Sequence, residues 1–159
     1  MTVYCGIDPG ASGAIAFFEL ERGRLVVIDM PVMEIMRGGK AKREMAPYEL
    51  ASIIGSEDCS HFVLEKVGAM PGQGVSSMFQ FGRSVGIIEG VLAGLGCPVH
   101  YVTPQKWQKE VGMRAGKDGA RERAMQLFPA YAKLFARKKD DGRADAALIA
   151  YWAAAGKYL

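Results

Sequence analysis

Three short runs rich in β-branched and apolar residues fill the first thirty positions, and the gaps between them leave room only for turns. Residues 2–8 (TVYCGID) and 12–20 (SGAIAFFEL) flank Pro9-Gly10, and Arg22-Gly23 returns the chain into residues 24–30 (RLVVIDM). Runs joined this tightly pair antiparallel with their sequence neighbours, so the chain is predicted to open as a three-stranded meander. From Pro31 to Ala46 it is Gly-, Met- and Lys/Arg-rich without periodicity and reads as a loop.

Beyond that loop strands and helices alternate. Pro47 suits the first turn of a helix through about Ser56, with Leu50, Ile53 and Ile54 on one face. A buried strand is predicted over 61–67 (HFVLEKV), a long helix from about Ser76 to Gly96, and a fifth strand over 98–102, where Pro98 occupies the tolerated first position. A short helix carrying Trp107, one from about Lys117 to Pro129, and a last one over 141–155 complete the order β-β-β-α-β-α-β-α-α-α. That order predicts an α/β fold: a five-stranded mixed sheet of three antiparallel plus two parallel strands, with helices on both faces. No repeat, linker or low-complexity segment divides it, so residues 1–159 are read as one domain, large enough to bury a core without metal or disulfide support.

Half of the residues are hydrophobic, yet no apolar run reaches transmembrane length, and no secretory leader is visible at the N-terminus. The expectation is a cytoplasmic protein with no membrane partner. Cys5, Cys59 and Cys97 lie far apart in sequence without a CxxC pair and read as small core residues. A net charge of +3 says little, but its distribution says more. Lys40, Lys42 and Arg43 cluster; Lys117, Arg121 and Arg123 share a helix start; Arg137, Lys138, Lys139 and Arg143 surround an acidic pair. Basic clusters beside acids suit a polyanion held by its phosphates and cut through a metal.

The acids themselves are sharply placed. Asp8 ends the first strand and precedes a glycine turn (GIDPGASG), which exposes it at the C-terminal edge of the sheet, where ligand sites of α/β folds gather. Glu65 is the single acid in an apolar strand that pairs beside the first in this topology. Two neighbouring carboxylates in such a setting repel each other unless a cation lies between them. In KKDDGRADAALIAYWA, Asp141 and Asp145 are four residues apart and share a helical face, whereas Asp140 points away and reads as the helix N-cap. Asp8, Glu65, Asp141 and Asp145 are therefore the candidate ligands, and an all-oxygen set favours Mg2+, with Mn2+ able to substitute. Two such ions about 3.5–4 Å apart activate water and stabilise the leaving oxygen of a phosphodiester displacement.

The motifs GIDPGASGAIAFF, VLEKVGAMPG, FQFGRSVGIIEGVLAGL, PVHYVTPQKWQKEVG, GKDGARERAMQLFP and RADAALIA, in that order, resemble the RuvC-type Holliday junction resolvases of the RNase H-like superfamily. The resemblance implies an RNase H-like fold, a homodimer with two active sites, Mg2+ dependence, and paired symmetric nicks across a four-way DNA junction. It supports Asp8, Glu65 and Asp145 as metal ligands, and it matches Lys117 to a family lysine near the scissile phosphate. The chain departs from the bacterial pattern at Gly142, where an acid or histidine commonly stands, and is closer in this segment to chloroplast and phage relatives.

Two features stay open on sequence alone. Gly82, Gly86, Gly90 and Gly94 recur every fourth residue on one helix face at a cost of about 1 kcal/mol each, which requires close packing either on the domain's own sheet or on a second copy. The segment 68–81 offers Gln73, Ser76, Ser77, Met78, Phe79 and Phe81 to DNA; an aromatic here either stacks on a base or belongs to the core. The expected DNA contacts are Lys40, Lys42, Arg43, Gln73, Ser76, Phe79, Lys117, Arg121, Lys138 and Lys139. The competing readings are another RNase H-like nuclease acting on flaps, forks or hybrids, and a catalytically silent junction-binding module. Retained acids disfavour the second, because carboxylates without metal weaken phosphate binding.

Overall fold

The computed structural model describes residues 1–156, so positions 157–159 of the expected domain lie outside the described residues. The strands are β1 (Val3–Asp8), β2 (Ala14–Glu19), β3 (Arg24–Asp29), β4 (Val32–Arg37), β5 (Lys40–Met45), β6 (His61–Glu65) and β7 (Val99–Val102). The α-helices are α1 (Pro47–Gly55), α2 (Val75–Gly94), α3 (Pro104–Glu110), α4 (Gly119–Leu127) and α5 (Asp141–Ala154). The main sheet has the order β3-β2-β1-β6-β7. The meander pairs are antiparallel, and β1-β6 and β6-β7 are parallel, as the connections demand: tight turns link the first three strands and helices precede the last two.

Side-chain alternation divides the core between the two faces of this sheet. Cys5 and Ile7 of β1, Ile15 and Phe17 of β2, and Phe62 and Leu64 of β6 point to one face, under Leu50 and Ile54 of α1 and Ile88 and Leu92 of α2. Ala14, Ala16 and Phe18 of β2 and Val63 of β6 point to the other, beneath α5, with Trp107 of α3 and Ala124 of α4 beside it. Helix α5 lies very close to β1 because Gly6 has no side chain: a Cβ there would collide with the backbone of Ala146 and Ala150. An isolated glycine inside a strand marks such a backbone approach.

One expectation needs correction. The stretch expected to be a loop over 31–46 is a β-hairpin, β4-β5, turned at Gly38-Gly39, both with positive φ (58° and 73°). A pair of glycines in that conformation is the standard two-residue hairpin turn. The strands themselves are hard to read because most of their residues are exposed and half are charged, leaving no apolar alternation to follow. The hairpin is fastened by Glu44, which forms ion pairs at 2.8 Å with both Arg37 and Arg83, the latter on α2. The structure also bears on the glycine stripe, for which two readings stood open. Gly82, Gly86, Gly90 and Gly94 are exposed, and a Cβ at any of them meets nothing within 4 Å, so packing on the domain's own sheet does not explain them.

Candidate active site

Asp8 and Glu65 each stand one residue beyond the register pair Ile7–Leu64, so parallel pairing of β1 and β6 sets them side by side at the C-terminal edge of the sheet. Asp145 arrives from the second turn of α5. Its approach depends on Gly142, one turn earlier, where a Cβ would lie 3.2 Å from Asp8 Oδ2, 3.0 Å from Gly13 Cα and closer still to the Ser12 carbonyl. Gly6 and Gly142 together let the helix rest on the strand and on the turn after it. The departure from the family pattern at Gly142 thus has a steric cause: a side chain there has no space.

The electrostatics follow from this convergence. Burial, then the neighbouring Asp145 and Glu65 carboxylates, push the Asp8 carboxyl well above its usual range. Burial, followed by Glu65 and Asp141, pushes Asp145 up to about 7. Glu65 is also raised by burial, against the opposing pull of a hydrogen bond in which Trp107 Nε1 donates to its Oε2 at 2.7 Å. Among the described residues none of the three acids has a basic partner. Glu65 is buried and Asp8 and Asp145 are partly buried, and clustered carboxylates without counter-charges are the groups that divalent cations neutralise. As they stand, no three such side chains enclose an ion-sized site among the described residues.

Asp141 is placed differently. Its carboxylate is 58% exposed and accepts from Arg121 Nε at 3.1 Å, so it adjoins Asp145 electrostatically while being held by an arginine. Asp140 occupies the cap position of α5, but its carboxylate does not cap that helix. It is buried and accepts from the Arg137 backbone N–H at 2.9 Å and from the Arg137 guanidinium at 2.8 Å.

The basic residues fall into two groups. Arg121, expected to touch DNA, is buried instead: besides Asp141 it bonds Asp118 and the carbonyls of Phe135 and Ala136, because a five-donor guanidinium is well suited to tie three segments together. Arg123 donates to the Val111 carbonyl, and Arg143 grips Asp29 with two bonds of 2.7 and 2.8 Å. By contrast Lys40, Lys42, Lys117, Lys138 and Lys139 are all exposed and form no ion pair among the described residues. A cleft of about 670 Å3 runs between the hairpin and α5, with Arg43, Lys138 and Lys139 along it and Ser12, Gly13 and Gly142 beneath. That floor is the same backbone that abuts Asp8. Arg43 reaches across to Ser12 Oγ at 3.2 Å.

Lys117 sits on the turn before α4, next to Asp118 and hence next to the Arg121 network. Gln73 and Ser76 are exposed at the start of α2. Phe79 is 68% exposed, whereas Phe81 lies against Gly10 of the Asp8 turn, where a Cβ would come within 3.3 Å of its ring. Trp107 is the site neighbour that sequence reasoning missed. A tryptophan on a short helix after a parallel strand was its only signal.

A mixed sheet in this order, with acids at its central edge and a helix laid across them, defines an RNase H-like domain. The sequence matches no protein-family profile. The chloroplastic Holliday junction resolvase MOC1 of Chlamydomonas reinhardtii is 36% identical over 86 residues, which are 53% of this chain and 10% of that protein; the chain therefore spans about a tenth of that relative's length. Thermus thermophilus RuvC in complex with a Holliday junction substrate superposes with a TM-score of 0.65 at 13% identity, covering 98% of this chain and 97% of that one. A second Thermus thermophilus RuvC structure gives 0.59 at 16% identity with the same coverage. The chain thus shares the fold of RuvC over 98% of its length and is similar in sequence to a resolvase over about half of it.

Proposed function

We propose that this chain is a Mg2+-dependent endodeoxyribonuclease that resolves four-way DNA junctions by paired, symmetric nicks. The observation that carries this reading is the clustering of Asp8, Glu65 and Asp145, without a basic partner, at one edge of the sheet beside an exposed basic cleft. The likeness to a chloroplastic Holliday junction resolvase, and to RuvC in complex with a Holliday junction substrate, supports four-way junctions as the substrate class. Asp8, Glu65 and Asp145 would hold the metal, with Asp141 as a fourth ligand once released from Arg121. Bound divalent cations supply water activation and neutralise charge on the phosphate and leaving oxygen. The chain's own residues do the rest. Lys138, Lys139 and Arg43 hold the phosphate backbone along the cleft, Lys40 and Lys42 extend the basic surface on the hairpin, Lys117 places a point charge near the scissile phosphate, and Phe79, with Gln73 and Ser76, faces the junction centre.

The exposed glycine stripe of α2 supports a homodimer, since two sites related by a two-fold axis match a two-fold junction. The test is a cleavage assay with and without Mg2+ on a mobile four-way junction, a flap, a fork, a duplex and an RNA:DNA hybrid. Symmetric nicks in the junction, lost in Asp8→Asn while junction binding persists, are the expected result. Equal cutting of flaps or hybrids would assign the chain to a different RNase H-like activity.

A further inference from the structure

The Trp107–Glu65 hydrogen bond joins residues 42 positions apart, and the fold builds it deliberately. Glu65 pairs with Val102 in the parallel β6-β7 register, and the next residue, Thr103, starts α3. Thr103 accepts from the Lys106 N–H at its side chain, and Pro104 fixes the first turn, so Trp107 falls one turn into the helix, beside the carboxylate. The indole is fully buried. A buried indole N–H must find an acceptor, and it donates without being able to accept, so it accommodates Glu65 in one orientation. Among the described residues Trp107 is the one donor that Glu65 has, and the bond takes Oε2, leaving Oε1 without a protein partner.

Building on the reading of the pocket as a metal site, we propose that Trp107 is a positioning residue: its indole N–H immobilises Oε2 of Glu65 and so reserves Oε1 as the oxygen that meets a divalent cation. In a cluster of mutually repelling acids, a fixed neutral donor keeps one carboxylate from swinging toward solvent or sharing a proton with its neighbours. Outer partners of this kind orient ligands without touching the ion.

The experiment is Mn2+ titration of the full chain by calorimetry, comparing wild type, Asp8→Asn and Trp107→Phe, with thermal unfolding of each. Wild type is expected to bind Mn2+, Asp8→Asn to lose it, and Trp107→Phe to bind about 10- to 100-fold more weakly. Junction cleavage by Trp107→Phe should recover toward the wild-type rate at saturating metal, a split that mere loss of packing would not produce. Wild-type affinity in a folded Trp107→Phe protein overturns the inference and leaves the metal-site reading intact. Asp8-independent binding, or none, overturns that reading and the inference with it. A measurement needing no Trp107 variant is the indole N–H resonance, which should move on Mg2+ addition and in Glu65→Gln. An indole signal that ignores both changes refutes the proposal.

Discussion

Gly142→Ala sets two physical effects against each other. Helix propensity alone favours alanine by up to about 1 kcal/mol, so an exposed helical glycine would be improved by the change. At position 142, however, the new methyl lies 3.0 Å from Gly13 Cα, 3.2 Å from Asp8 Oδ2 and still nearer the Ser12 carbonyl. Two of those neighbours are backbone of the turn that carries Asp8, and neither swings aside like a flexible side chain. Overpacking of this kind costs about 1–3 kcal/mol, which exceeds the propensity gain. The Ser12 carbonyl oxygen is the closest of the three, so the upper part of that range applies, about 2–3 kcal/mol. We expect a net loss of roughly 1–2 kcal/mol and a melting temperature lower by about 2–8 °C, read by calorimetry. Because the displaced group is Asp8, junction cleavage should fall further than stability, by about 10- to 100-fold. Gly142→Asp should be worse on both counts, since it adds a like charge beside Asp8. A Gly142→Ala protein that melts higher than wild type and cuts normally would refute the idea that α5 is seated on this turn.

The metal-free protein should lose stability as pH rises from about 4 to 7. The raised carboxyls of Asp8, Glu65 and Asp145 bind protons more tightly folded than unfolded, so their favourable contribution is present at low pH and vanishes as pH passes the folded value, about 7 for Asp145. Asp29 and Glu57, held low by Arg143 and Arg24, act oppositely and are lost as pH falls below their unfolded values near 4, so chemical denaturation should show a maximum near pH 4–5 that broadens upward when Mg2+ is added. Arg121→Ala should destabilise the fold by about 2 kcal/mol, because it leaves buried carbonyls and two carboxylates without their donor. Lys138→Ala and Lys139→Ala should change stability by less than about 0.5 kcal/mol and instead reduce the salt dependence of junction binding, by about one unit of slope each. Gly86→Leu should leave the protomer folded, since nothing stands within 4 Å, but shift sedimentation toward monomer; an unaltered dimer would place the interface elsewhere.

The sequence by itself determined the elements whose cause is local. Glycine turns, runs of β-branched residues and the Pro47 helix start depend on neighbours a few positions away, and so the meander, the mixed sheet order and the edge position of Asp8 and Glu65 were legible. The β4-β5 hairpin was also signalled, by Gly38-Gly39, but its exposed charged strands hid it. Only the tertiary structure decided which charges are committed to the fold and which stay available. Arg143 and Asp29 are 114 positions apart, and nothing near Arg121 in the chain announces that Phe135 and Ala136 will surround it. The same holds for Gly142, whose need to lack a side chain comes from a turn near the opposite end of the chain, and for Trp107 on α3, whose acceptor ends strand β6, 42 positions earlier. A side chain's partner is fixed by how sheets and helices stack, and that distance is not written in the residues beside it.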